Sequence, residues 1–110
     1  MSEQISYEKV RGTLYLHLPS EIDHHSSREI REKTEEYLRE SGIRRIVFDF
    51  SRTTFMDSSG IGALLGRYKR MKERGGSVAV CCVDDRIRRL MRISGLDRLI
   101  PETDKAQAEE

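Results

Sequence analysis

Two nearly continuous apolar segments restrict the fold of this 110-residue chain more than any other feature of its sequence. They are RRIVFDF, residues 44–50, and SVAVCCV, residues 77–83. Strands that are apolar on both faces are typical of sheets covered on both sides, as parallel sheets are. Between the two segments, apolar residues recur every three or four positions, which indicates a helix. The chain is therefore predicted to be an α/β protein with a mostly parallel sheet.

The complete predicted order is β-β-α-β-α-β-α-β-α, which we interpret as one domain over residues 1–110, a mixed sheet with helices packed on it. The predicted strands cover residues 4–10, 13–18, 44–50, 77–83 and 97–100. Four helices are predicted. The first covers residues 26–40 and is capped by Ser26 or Ser27, and the second covers residues 58–73. The third is capped by Asp84 or Asp85 and ends at Gly95, and a short last helix starts at Pro101.

Composition excludes several classes of function. The formal net charge is +1, so the chain has no global basic field that would attract nucleic acid. No apolar run is long enough for a membrane span, and no signal peptide is recognised, so we expect a cytoplasmic protein. Four arginines lie close together in sequence, and we favour a solvated face for them, with a contact to protein or nucleotide as the alternative. They are Arg86, Arg88, Arg89 and Arg92.

Neither the cysteines nor the histidines have the spacing of a metal site. Cys81 and Cys82 are adjacent in a predicted strand, so we expect their side chains on opposite faces and interpret them as small buried residues. A redox pair would normally have two residues between its cysteines. His24 and His25 are also adjacent and cannot share one helix face. No metal, cofactor or catalytic residue is predicted.

The segment FMDSSGIG, residues 55–62, joins a predicted strand to a predicted helix. Asp57 is a suitable N-cap, which makes Ser58 the first helical residue. A hydrolase nucleophile elbow would need glycine where Met56 stands. The glycines of this helix fit neither a dinucleotide-binding fingerprint nor a phosphate-binding loop. They indicate either close packing of the helix or a smooth patch that a partner can approach.

Once these kinds of site are set aside, the feature that remains to be explained is the exposed hydroxyl of Ser58 at a helix N-terminus. Phosphorylation of Ser58 would add about two negative charges at a helix end that tolerates anions. The fold would survive while the surface changed, which suits a switch that a partner reads. A simple capping motif explains the spacing equally well, so the residues alone leave both interpretations open.

Three segments resemble the STAS domain family. They are EIDHHSS, residues 21–27, FMDSSGIGALLGRYKRMKERGG, residues 55–76, and IRRLMRISGLDRLI, residues 87–100. Within that family the chain resembles the anti-sigma factor antagonists of the sporulation sigma factor F pathway. It departs from them at Ser20, where glycine is common, and in its shorter last helix.

The resemblance implies a function that the spacing alone does not. The unphosphorylated form would bind an anti-sigma factor that is also a serine kinase, with ATP or ADP bound, and so release the sigma factor. The kinase would phosphorylate Ser58, and a phosphoserine phosphatase would restore it. The implied partner-binding residues are Asp23, Asp57, Ser58, Ser59, Gly60 and Gly62.

Two alternatives remain open. One is a STAS module of a stress-response signalling complex. The other, of a different class, is a small phosphotransfer or nucleotide-hydrolysing enzyme that uses Asp57, Ser58 and Arg67.

Overall fold

A mixed four-stranded sheet forms the centre of the molecule. The computed structural model describes residues 4–40 and 42–104. The strands are β1 Ser6–Val10, β2 Thr13–His17, β3 Glu21–Ile22, β4 Arg45–Asp49, β5 Phe55–Met56 and β6 Ser77–Cys81. The helices are α1 His24–Leu38, α2 Ser58–Glu73 and α3 Asp85–Ser94, followed by a 3-10 turn, Leu96–Arg98.

The strand order of the sheet is β1-β2-β4-β6. Strand β1 pairs antiparallel with β2, as expected for two strands joined by a tight turn, whereas β2, β4 and β6 are parallel. The connections between the parallel strands contain α1 and α2. The predicted α/β class and the mostly parallel sheet are confirmed.

The main core lies between the sheet and the three helices. Alternate strand residues face the helices, and the apolar stripe of each helix faces them in return. Burying each large apolar side chain contributes roughly 1.5–3 kcal/mol. The core includes Leu14, Leu16, Ile46, Phe48, Val78 and Val80 from the sheet, and Ile30, Leu64, Met71, Ile87 and Met91 from the helices. The opposite strand face carries a second buried cluster: Tyr15, Val47, Ala79 and Cys81.

A two-stranded ribbon was not predicted. Strands β3 and β5 have two residues each and pair in parallel, with Ile22 opposite Met56. Both lie in segments that the sequence indicates as loops or strand-to-helix connections, because two residues are too few for a periodic pattern. The ribbon directly precedes α1 and α2 along the chain, so it fixes where these two helices begin.

The first helix begins earlier than predicted, so its predicted cap is wrong. Asp23 is the N-cap of α1, and its carboxylate accepts a hydrogen bond from the Ser26 backbone amide at 3.0 Å. Ser26 lies inside the helix and its hydroxyl accepts from the Asp23 amide at 2.8 Å, which completes a reciprocal capping box. Ser27 is also helical and buried.

The predicted last strand, residues 97–100, is also wrong. Gly95 ends α3 with φ +81°, and the chain then continues into the 3-10 turn. It reaches the sheet edge slightly later, where Glu102 forms a parallel bridge with Val80. Residues 101–104 are not helical, and the rest of the predicted last helix lies outside the described residues.

The adjacent cysteines do not point to opposite faces. Strand β6 ends at Cys81, and Cys82 takes a left-handed conformation with φ +62°. Because the backbone turns here, the side chains of the two cysteines do not alternate between faces as they would in a continuous strand. Their Sγ atoms lie 3.4 Å apart.

Within the part of the chain that the structure describes, no helix combines the length and apolar character needed to span a bilayer.

Candidate functional site

Two helix N-termini lie side by side at one end of the ribbon. Ile22 pairs with Met56, and the next residue on each strand is an N-cap: Asp23 for α1 and Asp57 for α2. The Asp57 amide donates to the Ile22 carbonyl at 3.1 Å, which holds the two caps in this register. The ribbon therefore brings together two acidic residues that are 34 positions apart in the sequence, Asp23 and Asp57.

Asp57 caps α2 as predicted. Its Oδ1 accepts hydrogen bonds from the backbone amides of Ser59 at 2.9 Å and Gly60 at 3.2 Å. Such a cap satisfies amides that have no partner within the helix. Because Asp57 supplies the cap, the hydroxyl of Ser58 takes no part in capping the helix.

Ser58 is the first residue of α2 and is exposed. Within the described part of the chain, its hydroxyl makes no hydrogen bond to the protein. Ser59 is half-buried beside it and contributes its backbone amide to the Asp57 cap. Ser58 is thus the more accessible of the two hydroxyl groups.

Asp23 has a structural role that the sequence reasoning missed. Hydrogen bonds from the Ser26 amide and hydroxyl lower the pKa of this exposed carboxyl, so it is anionic at neutral pH. A detectable sequence pattern was Asp-x-x-Ser immediately before the helical periodicity. The site therefore carries two capping carboxylates.

The glycines of α2 differ in their surroundings. Gly60 is buried, and a Cβ added there would overlap Met56 Cγ and lie 2.9 Å from Ile22 Cγ2. Gly60 therefore allows α2 to pack closely on the ribbon. A Cβ added at Gly62 or Gly66 would meet nothing within 4 Å, so packing does not require glycine at either position.

Two further residues extend this surface beyond the predicted set. Phe55 is 49% exposed on β5, next to buried Met56, and no sequence pattern could predict this because β5 has only two residues. Arg86, near the start of α3, donates from Nη1 to the Thr54 carbonyl at 3.3 Å. An exposed aromatic ring and an arginine of α3 thus flank the capped end of α2.

Ser20 fits its position without the conformational freedom of glycine. Its φ is not positive, and its carbonyl accepts from the Thr54 amide at 2.8 Å and the Phe55 amide at 3.2 Å. These bonds tie the segment before β3 to the segment before β5.

Arg67 does not join Asp57 and Ser58. It is nine residues after Ser58 on α2, about 13 Å along the helix axis. Its buried side chain donates from Nη1 to Thr34 Oγ1 at 3.2 Å and to Glu35 on α1. The three residues suggested for a small enzyme are not assembled into one site.

The arginines of α3 do not act as one cluster. Arg88 pairs with Glu102 at 2.8 Å and with Asp85 at 3.0 Å. Arg89 and Arg92 are exposed. Arg88 thus ties α3 to the segment after the 3-10 turn.

The sequence model of the STAS domain family matches residues 4–109. The chain is 41% identical over 101 residues to an anti-sigma F factor antagonist of Paenibacillus polymyxa, covering 92% of this chain and 86% of the relative. It is 27% identical over 107 residues to an anti-sigma-B factor antagonist of Bacillus subtilis, covering 97% and 96%.

Two solved structures of SpoIIAA have the same fold as this chain. The anti-sigma factor antagonist SpoIIAA in its unphosphorylated form superimposes with a TM-score of 0.85 at 28% identity, covering 96% of this chain and 92% of that one. The phosphorylated form of the Bacillus cell fate determinant SpoIIAA gives 0.77 at 28% identity, with 96% of each chain covered. The chain therefore belongs to the STAS domain family and is similar, over most of its length, to anti-sigma factor antagonists within it.

Proposed function

We propose that this protein is an anti-sigma factor antagonist controlled by phosphorylation of Ser58. The unphosphorylated form binds an anti-sigma factor that is also a serine kinase and thereby releases a sigma factor. The kinase transfers phosphate from ATP to Ser58 and ends the interaction, and a phosphoserine phosphatase reverses the step. The proposal rests on the similarity to anti-sigma factor antagonists and on a solved SpoIIAA structure described as phosphorylated.

One observation supports Ser58 as the acceptor above all others. Its side chain is exposed at the start of α2, while the cap is supplied by the adjacent Asp57. A kinase can therefore modify the hydroxyl without breaking the bonds that hold the helix end. Ser59 is less accessible and has its amide committed to the cap.

The proposed partner surface combines both helix N-termini. Asp23 and Asp57 provide fixed carboxylates, and Ser58 and Ser59 provide small hydroxyl groups. Gly62 lies one turn further along α2 and leaves room for the backbone of a partner. Buried Gly60 contributes by permitting the close packing that holds the surface in shape. We expect the partner to contact this surface in its ADP-bound state.

The sigma factor F pathway of sporulation is the favoured context. The relative named as an anti-sigma F factor antagonist shares 41% identity, against 31% over 80 residues for an anti-sigma-B factor antagonist of Listeria monocytogenes. A role in a stress-response complex is the second candidate, because several relatives carry the anti-sigma-B name.

A binding module is preferred over an enzyme. The relatives are named as regulatory antagonists, and Arg67 is engaged with α1 rather than with Asp57 and Ser58. In this proposal the protein is a kinase substrate that works in the cytoplasm, binds no nucleic acid, and has no catalytic residue, metal or cofactor of its own in this activity.

Incubation with the cognate kinase and ATP tests the acceptor. Mass spectrometry should find one phosphate per wild-type chain, located on Ser58, and none on Ser58→Ala. Ser59→Ala is the matched control and should still carry one phosphate, on Ser58. ATP alone should give no turnover. Full phosphorylation of Ser58→Ala, or ATP hydrolysis without the kinase, would refute the assignment.

A further inference from the structure

A second group of chemically active side chains lies at the carboxyl edge of the parallel sheet. Asp49 ends β4, Cys81 ends β6 in the register position beside it, and Cys82 follows. The ligand atoms of these three residues all lie within 4.8 Å of one another. Two thiols and a carboxylate converging in this way offer donors for a thiophilic cation.

The left-handed turn at Cys82 creates this convergence. In an extended strand the two sulfur atoms would point to opposite faces, but φ +62° at Cys82 brings them to 3.4 Å. This conformation is unfavourable for a residue with a Cβ.

The separation of the two sulfur atoms fits a tetrahedral zinc site. Two thiolates at the usual Zn–S distance of about 2.3 Å lie about 3.8 Å apart, close to the distance seen here. A carboxylate oxygen on the same ion lies about 3.5 Å from each sulfur, and the Asp49 oxygen lies within 4.8 Å of both sulfur atoms, so a small approach would complete the geometry. Cys82 is partly exposed, whereas Cys81 and Asp49 are buried, so an ion can enter from the Cys82 side.

The carboxylate is held in place by other groups. Its Oδ2 accepts from His17 Nδ1–H at 2.9 Å, and its Oδ1 accepts from the Ser51 amide at 2.8 Å. The other ring nitrogen of His17 lies 3.4 Å from Glu8 Oε1. The Ser51 side chain also hydrogen-bonds to this carboxylate, which has about four lone-pair positions, so one remains for an ion. Such outer contacts orient metal ligands in established sites.

We propose that Asp49, Cys81 and Cys82 form a binding site for one Zn²⁺ ion, with a water molecule as the fourth ligand and with His17 as a positioning residue for Asp49. Both cysteines bind as thiolates, and their protons are released to solvent. The site shares no residue with the proposed partner surface, and its argument does not depend on the proposed function.

Titration of the reduced, full-length protein with ZnCl₂ tests the site. Calorimetry should find one Zn²⁺ per chain, and CdCl₂ should produce the ultraviolet thiolate-to-metal charge-transfer absorption of two sulfurs. Cys82→Ser should lower Zn²⁺ affinity by more than about a hundredfold. His17→Gln should lower it by about tenfold to a hundredfold. The control is the double variant His24→Asn, His25→Asn, which removes the exposed histidines and should bind like wild type.

A second measurement does not depend on the folding of any variant. Bound Zn²⁺ should protect the partly exposed Cys82 thiol of the wild-type protein from alkylation. Reaction of the Cys82 thiol at the same rate with and without Zn²⁺ would overturn the proposal. So would unchanged affinity in Cys82→Ser, or loss of Zn²⁺ binding only in the histidine double variant.

Discussion

Asp57 and Ser58 are adjacent but have different roles, one in capping the helix and the other in presenting a hydroxyl group. The aspartate satisfies the free amides of α2, and the serine exposes a hydroxyl that no other group of the described chain binds. A serine cap would have joined both tasks in one side chain, and its modification would have broken the helix end. The separation allows a charge to be added at this position without loss of the cap.

Replacing Asp57 with alanine should lower the free energy of unfolding by about 1 kcal/mol, because the Ser59 and Gly60 amides lose their acceptor. The same change should weaken binding to the anti-sigma factor, since it alters the surface beside Ser58. Chemical denaturation and calorimetric titration with the partner measure the two effects.

The matched control is Asp84→Ala. Asp84 caps α3 by accepting from the Ile87 amide at 2.8 Å, so its loss should cost a similar amount of stability. We expect it to leave partner affinity unchanged. Equal loss of affinity in both variants would mean that reduced stability, and not the Asp57 surface, explains the effect.

The glycines of α2 provide a second prediction for single residues. Alanine at Gly62 or Gly66 should raise the free energy of unfolding by up to about 1 kcal/mol, because both sites have open space and glycine is a poor helix former. Alanine at Gly60 should lower it by about 1–3 kcal/mol through overlap with Met56 and Ile22.

Titration with the anti-sigma factor shows whether a glycine of α2 is needed for helix packing or for contact with the partner. Gly62→Ala should weaken binding to the anti-sigma factor although it stabilises the fold. If Gly62→Ala binds as tightly as wild type, this position is not part of the partner surface.

At the scale of elements, an ionic contact joins α1 to α2. Glu35 on α1 accepts from buried Arg67, and its carboxylate also lies 3.1 Å from Arg70 Nε. Burial raises the pKa of Glu35, but the hydrogen bonds and charges of the two arginines outweigh it and leave the pKa below its usual range. The carboxylate is therefore ionised in the folded protein at neutral pH.

This contact should make stability depend on pH. Because the pKa of Glu35 is lower in the folded state, the stabilisation is fully present above its ordinary value of 4.5 and is lost as the pH falls through the folded-state pKa. Glu35→Gln should melt at a lower temperature than wild type at neutral pH, and the difference should shrink in acid.

Thermal melts across this pH range test the contact, with Glu36→Gln as control. Glu36 is exposed and pairs at 3.5 Å with Lys33, three residues earlier on the same helix. Its loss should change the melting temperature little at any pH. A constant difference between Glu35→Gln and wild type from neutral pH to acid would contradict the assignment.

The long elements were predictable from the sequence, and the shortest ones were not. Helix α2 and strands β4 and β6 carry enough apolar residues for their period to be recognised. The ribbon has two residues per strand, so tertiary pairing alone defines it. The segment at residues 97–100 has strand-like composition, but Gly95 and the 3-10 turn delay its arrival at the sheet edge.

The site was predictable only where one local rule applied. Asp57 follows from capping preferences, which act within a few residues. The proximity of Asp23 to Asp57 depends on the ribbon, and the exposure of Phe55 depends on which face of β5 packs inward. The convergence of Cys81 and Cys82 depends on one left-handed residue, which composition does not indicate.

At the scale of the whole molecule, a phosphate on Ser58 is expected to leave the fold unchanged. The positive end of α2 stabilises an anion by a few tenths to about 1 kcal/mol, and repulsion from Asp57 cancels a similar amount. Neither effect can rearrange a core of many buried side chains. Crystal structures of the two forms should superimpose closely, and a shift of α2 by several ångströms would show a conformational switch instead.

The most direct test of the account is the affinity of the ADP-bound anti-sigma factor for the two forms, measured by calorimetric titration. A phosphate buried in the interface without a cationic partner costs several kcal/mol. We therefore expect the Ser58-phosphorylated protein to bind about a thousandfold more weakly than the unphosphorylated protein. Equal affinity of the two forms would contradict the claim that phosphorylation of Ser58 controls this protein.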